Sequence, residues 1–171
     1  MIKVGDLLPV CTLYEFIEVE SEGCSLGPKG FSVRDSAVGK TIALFALPGA
    51  FTPTCSAKHL PGYVELSHDL RDAGVDEVWC LSVNDAFVMG AWGRANGTAG
   101  KVRMMADGSA DFARAVGLTL DLSQRGLGLR SDRYSMLVVD GTVKSLNVEA
   151  PGQFQVSDAQ TLLSQARALD N

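Results

Sequence analysis

Two runs in this chain, TIALFAL (Thr41 to Leu47) and VDEVWCLSV (Val75 to Val83), are apolar almost without a break and rich in β-branched and aromatic residues. A strand with one wet face alternates polar and apolar side chains. A strand without that alternation is covered on both faces. These runs therefore read as central strands of a sheet with helices packed on each side, and the rest of the chain supplies them. A helix is expected from about Thr52, interrupted at Pro61. It resumes in YVELSHDLRDAG, where Tyr63, Leu66, Leu70 and Ala73 fall at helical spacing and Gly74 serves as C-cap. Asn84 or Asp85 can cap a helix bearing Phe87, Val88, Ala91, Trp92 and Ala95.

KVRMMAD reads as a short strand, Asp107-Gly108 as a turn, and Ser109 as the cap of the small helix ADFARAV. RYSMLVV and TVKSLNVE flank Asp140-Gly141, a strong two-residue hairpin signal. Ser157 with Gln160 three residues later makes a capping box for a last helix carrying Leu162, Leu163, Ala166 and Leu169. Near the N-terminus, EFIEVE and GFSV on either side of SEGCSLGPK form a further hairpin. The expected fold class is α/β: one domain, residues 1–171, with a mixed, centrally parallel sheet flanked by helices and an extra N-terminal hairpin.

The chain has 171 residues, enough to bury a core without disulfide or metal staples. Its net charge of -5 argues against nucleic acid or anionic membranes as partners. MIKVGDLLPV has neither the charged region nor the cleavage site of a signal peptide. No apolar window approaches the roughly 18 residues of a membrane span. A cytoplasmic protein is expected. Its four cysteines (Cys11, Cys24, Cys55 and Cys80) include no Cys-x-x-Cys, and no two histidines stand at ligand spacing. Zinc ribbons and thioredoxin-type dithiols both need such spacing, so neither is expected.

Cys55 lies in LPGAFTPTCSAKHLPG, Leu47 to Gly62, directly after a central strand. With Thr52 as N-cap and Pro53 as first helical residue, Cys55 falls in the first helical turn. Unpaired N–H groups and the positive end of the helix dipole there favour a thiolate. Free cysteine is often only a small buried hydrophobe. The strand-to-helix turn at a sheet's carboxyl edge, where α/β folds carry their sites, tilts the reading toward reactivity. Thr52 can reach Cys55 or a ligand beside it, or serve as a cap alone. His59, four residues on, can act as a base or favour the thiolate. The break expected at Pro61 points instead to local packing.

PGAFTPTCS followed by HLPG resembles the active-site signature of the peroxiredoxins, specifically the type II or peroxiredoxin-5-like group. The resemblance extends through GDLLP, FVMGAW and RYSMLVVDGTVKSLNVE, nearly the whole chain. It implies a thioredoxin-like fold and reduction of hydrogen peroxide and organic hydroperoxides by the cysteine itself, without metal, haem or flavin. Cys55 is then the peroxidatic nucleophile, Thr52 bonds the peroxide, and Pro48 shields the oxidised sulfur. The family's arginine falls at Arg133, with Arg130 the weaker candidate. A homodimer is implied as well.

One departure bears on recycling. Animal members carry a resolving cysteine where alignment through LNVE places Ser157 here. Cys80 matches a second cysteine of plant and some bacterial members, or is simply a core residue of its strand. A small external thiol can reach an oxidised Cys55 if the helix end is exposed, so the expected reductant is glutathione with glutaredoxin, or thioredoxin. A non-enzymatic peroxide sensor or redox-regulated holdase would use the same cysteine, but would stop after one oxidation. Cys11, Cys24 and the N-terminal hairpin receive no functional reading.

Overall fold

The computed structural model describes residues 1–17 and 27–169. Its main sheet has seven strands in the spatial order β2-β1-β5-β4-β3-β8-β9. The two apolar runs form its centre: β3 (Thr41–Ala46) lies parallel to β4 (Glu77–Ser82), which lies parallel to β5 (Arg103–Ala106). The hairpin β8 (Tyr134–Val139) and β9 (Thr142–Val148) adds antiparallel strands beside β3. Asp140 and Gly141 turn between them, both in the left-handed region, as a tight hairpin requires. At the other edge β1 (Thr12–Ile17) and β2 (Gly27–Ser32) form the N-terminal hairpin, joined to β5 through Tyr14 and Ala106. Its connection, including Cys24, lies outside the described residues. A separate two-stranded ribbon pairs β6 (Thr119–Leu122) with β7 (Gly128–Ser131).

Alternate residues of the central strands enter two different cores, as the pleat dictates. Ala43, Phe45 and Cys80 face one cluster, with Tyr63 of α2 (Leu60–Glu65), Leu70 of α3 (Ser67–Asp72), Trp92 of α4 (Ala86–Ala95) and Leu162 of α6 (Ala159–Ala168). Ile42, Leu44, Trp79 and Leu81 face the other, with Val33 of α1 (Val33–Ala37) and Phe112 of α5 (Asp111–Val116). Among the described residues no helix is long and apolar enough to cross a membrane.

Four local expectations are corrected. The helix is not interrupted at Pro61. Residues Cys55–His59 form a widened π-turn, in which the Leu60 N–H bonds the Cys55 carbonyl, and α2 follows directly. Proline lacks an N–H and crowds the carbonyl four residues back. Widening the preceding turn relieves that crowding, and Pro61 then sits in the tolerant first turn of α2. The break falls at Leu66 instead, between α2 and α3.

The second correction is at Ser109, which does not cap α5; the buried Asp107 carboxylate accepts from the N–H groups of Phe112 and Ala113. Third, Ser157 does not cap α6; Asp158 does, accepting from the Thr161 N–H. A carboxylate one residue later outcompetes the hydroxyl, because Ser157 is engaged elsewhere. Last, only Asp85 caps α4, through the Val88 N–H. Asn84 reaches into the loop after β3.

Candidate active site

Strand pairing places the candidate residues together. Ala46 ends β3 opposite Tyr134, the first residue of β8. Arg133 therefore stands beside the loop Leu47 to Thr54 that leaves β3. That loop is held at several points. Asn84 Oδ1 accepts from the Ala50 N–H at 3.0 Å, and Arg130 Nη1 donates to the Pro48 carbonyl at 3.3 Å. Phe51 takes a left-handed conformation, φ 62°. A Cβ on Gly49 would stand 2.9 Å from Arg130 Nη1 and 3.1 Å from Thr52 Cγ2, so a side chain here would have to push the Arg130 guanidinium aside.

Thr52 begins the helix as expected, its carbonyl accepting from the Ser56 N–H at 3.0 Å. The Thr54 and Cys55 N–H groups thus lie ahead of the first helical hydrogen bond. The Thr52 hydroxyl, however, neither caps the helix nor meets Cys55. It donates to the Gly49 carbonyl at 2.7 Å. Its lone pairs can still accept.

Cys55 is fully buried, contrary to the expectation of an exposed helix end. The π-turn and the loop before it fold the first turn onto the core, alongside Phe45 and Tyr63. Arg133 Nη2 donates to Cys55 Sγ at 3.1 Å. Arg133 Nη1 lies 2.8 Å from His59 Nδ1. An arginine cannot accept, so the ring nitrogen does. His59 Nε2 is 3.0 Å from the Ser157 carbonyl, which can only accept, and this fixes the proton on Nε2. Burial, and then the adjacent Arg133 charge, push the His59 imidazolium down to about 3, so the ring is neutral. It has no proton-accepting nitrogen left for Cys55. The geometry supports the packing reading of His59 and goes beyond it, since the ring also orients Arg133.

Of the two arginines, Arg133 meets the sulfur and Arg130 meets the carbonyls of Leu127 and Pro48. Cys80 sits in mid-strand opposite Phe45 and is a free thiol in the same core cluster as Cys55. Burial, and then the nearby Cys55, push its thiol well above the ordinary range. Cys11 is half-buried and is pushed up to about 11 by burial and then by Asp107 and Asp111. Among the described residues no group of three or more metal-ligating side chains is gathered.

Sequence reasoning missed Asn84 as a loop anchor, together with Glu149, Phe154 and the Ser157 carbonyl. Phe154 packs its ring against His59 at 4.9 Å and lies under the Arg133 guanidinium at 5.8 Å. Glu149 Oε1 accepts from Ser157 Oγ at 2.9 Å, which explains why that hydroxyl is absent from the α6 cap.

A family model described as Redoxin matches residues 3–163. Peroxiredoxin-2B of Arabidopsis thaliana is 45% identical over 162 residues, covering 95% of this chain and 96% of the relative. The crystal structure of reduced Prx3 from Vibrio vulnificus in complex with H2O2 superposes with a TM-score of 0.89 at 46% identity, covering 97% of this chain and 99% of that one. A Burkholderia cenocepacia structure is 65% identical with a TM-score of 0.92, covering 96% and 97%, and carries the provisional name of a thioredoxin reductase. A Cys-x-x-Cys dithiol that such a name brings to mind has no counterpart in this sequence. Fold and site together define a thioredoxin-like protein with a buried cysteine, Cys55, held against an arginine beyond the end of a central strand. The chain belongs to the peroxiredoxin family, in its type II group, and is a thiol peroxidase.

Proposed function

We propose that Cys55 is the peroxidatic nucleophile, and that Arg133, Thr52 and Pro48 serve its reaction with hydrogen peroxide and organic hydroperoxides. One observation carries the proposal: Arg133 Nη2 lies 3.1 Å from Cys55 Sγ. A guanidinium held there donates to the sulfur and remains a donor to the peroxide that approaches it. The thiolate attacks the terminal peroxide oxygen. An S–O bond forms as the O–O bond breaks, and the electron pair goes to the departing oxygen. That oxygen takes up the proton released when the thiol ionised and leaves as water or alcohol. Sulfur, oxidised by two electrons, is left as a sulfenic acid.

Negative charge moves from sulfur to the departing oxygen, so donors already aimed at that path lower the barrier. Arg133 and the Cys55 N–H are such donors. Thr52, its own proton held by Gly49, accepts the peroxide O–H. Pro48 closes the site against water.

Recycling is proposed to use an external thiol, glutathione with glutaredoxin or thioredoxin. Cys80 is buried in mid-strand with its thiol held protonated, and serine stands at 157. One thiol condenses with the sulfenic acid, releasing water and forming a mixed disulfide. A second thiol reduces that disulfide and restores Cys55. Because Cys55 is buried, the first turn must open for this step, and the π-turn is the weakly bonded place for it to do so. A homodimer and a cytoplasmic site of action belong to the same proposal.

The test is peroxide turnover with each donor. Cys55→Ser should lose turnover completely while its far-ultraviolet circular dichroism stays near parental. Retained turnover in that variant refutes the assignment, and one oxidation without turnover in the parent would instead indicate a sensor.

A further inference from the structure

We propose that Glu149 is a positioning residue for peroxide reduction: a single carboxylate oxygen shapes the segment after β9 so that it presets His59, and through it Arg133, against Cys55. The inference rests on the role given to Arg133 above. Glu149 Oε1 accepts from the N–H groups of Gln155, Val156 and Ser157 at 2.7, 2.7 and 2.8 Å, and from Ser157 Oγ at 2.9 Å. Its own N–H bonds the Arg133 carbonyl at 3.0 Å. One residue thus ties the Arg133 main chain to the returning segment 150–157. Burial pushes the Glu149 carboxyl upward, but the N–H groups gathered on it outweigh this and hold it below its ordinary range.

The gathered segment presents two things to the site. The first is the Ser157 carbonyl, which receives Tyr63 Oη at 2.8 Å and His59 Nε2 at 3.0 Å. Fixing the proton on Nε2 leaves Nδ1 bare, and only a bare Nδ1 can accept from Arg133. The second is Phe154, whose ring supports both His59 and Arg133. With Nη1 held by His59, the fork of the guanidinium directs Nη2 at sulfur. Without the carboxylate, the segment has no common acceptor for its N–H groups, the Ser157 carbonyl is free to drift, and the imidazole can exchange tautomers. A ring with hydrogen on Nδ1 would turn a donor toward Arg133 and displace it.

The test is stopped-flow oxidation of reduced protein by hydrogen peroxide, alongside ¹⁵N shifts of the His59 ring. Glu149→Ala should slow oxidation about tenfold or more, since misaimed catalytic groups cost rates on that scale. Glu149→Gln should recover most of the rate, because an amide oxygen can accept the same bonds. In an Arg133→Ala background, Glu149→Ala should cause no further loss, because the two act through one contact. The ring should be protonated on Nε2 alone in the parent and in Glu149→Gln, and mixed in Glu149→Ala. A parental oxidation rate in Glu149→Ala, a loss that multiplies with that of Arg133→Ala, or an unchanged ring overturns the proposal.

If Glu149→Ala does not fold, Glu149→Asp withdraws the oxygen and should give the same slowing; a parental rate there is equally decisive against the idea. If Arg133→Ala alone oxidises at the parental rate, the fault lies in the role of Arg133. The ring shifts then decide separately whether Glu149 sets the His59 tautomer.

Discussion

Cys55 and Cys80 lie in one apolar cluster, both free and both fully buried, yet their surroundings differ, and the reactivity proposed above falls to only one of them. Cys55 occupies the first turn of a helix at the carboxyl edge of β3, with N–H groups ahead of the helical ladder and a guanidinium against its sulfur. Cys80 occupies the middle of β4, paired to Phe45 on one side and Met104 on the other. Its backbone is consumed by the sheet, and its thiol, raised by burial and then by Cys55, stays protonated. Burial alone therefore predicts neither reactivity nor inertness. A fixed cation and unfinished backbone hydrogen bonds distinguish the two, and both follow from position at a strand's end rather than its middle. Cys11 adds a third case: it is more accessible, but pushed up to about 11 by burial and neighbouring carboxylates.

The comparison is broken most severely by removing the cation. Arg133→Ala should slow the oxidation of Cys55 by about 10²–10³, the usual cost of one preorganised donor. Arg130→Ala, which loses only loop carbonyl contacts, should cost much less. Stopped-flow oxidation of the two variants gives the ranking, and the reverse order would move the catalytic role to Arg130.

A smaller effect separates the regions by pH. An unfolded chain protonates His59 near 6.5, whereas the native state keeps the ring neutral down to about 3. Below pH 6.5 the unfolded state binds the extra proton, so stability present above that value is lost progressively as pH falls toward 3. The loss is on the order of a few kcal/mol, from about 1.4 kcal/mol per pK unit. Urea midpoints of the parent should fall more steeply from pH 6 to 4 than those of His59→Asn, which lacks this imidazole. Parallel curves would show that His59 is not held neutral by the fold.

The smallest effect on activity is expected at Cys80. Cys80→Ser should turn over within a few-fold of the parent with glutathione and glutaredoxin, and should lose about 1–3 kcal/mol of stability by burying a hydroxyl. Mass spectrometry after one equivalent of peroxide should find no Cys55–Cys80 disulfide. Its presence, with lost turnover in the variant, would make Cys80 the resolving thiol.

How much of this was legible beforehand differs by element. The two central strands, the Asp140-Gly141 hairpin and the N-terminal hairpin followed from apolar continuity and turn chemistry, which act between near neighbours. The motif through Cys55 marked it as the candidate nucleophile, and its resemblance to a family pointed to Arg133, whose guanidinium lies against the sulfur. The helix break at Pro61 was misjudged because proline rules assume an ordinary α-turn before it, whereas this chain widens that turn instead. Ser157 was misread as a cap because its pattern is correct locally. A carboxylate eight residues earlier claims the hydroxyl.

What the sequence determined by itself is thus what is encoded within one turn or one pleat: which segments are buried, where they reverse, and which cysteine stands at a helix start. Tertiary structure alone decided that Cys55 is buried, that the Arg133 guanidinium meets its sulfur, and that His59 is a neutral acceptor for Arg133 while donating to the Ser157 carbonyl. Those contacts join residues 78, 74 and 98 positions apart. No periodicity spans such distances. They exist because antiparallel β8 begins where β3 ends, and because the chain after β9 folds back over that same edge.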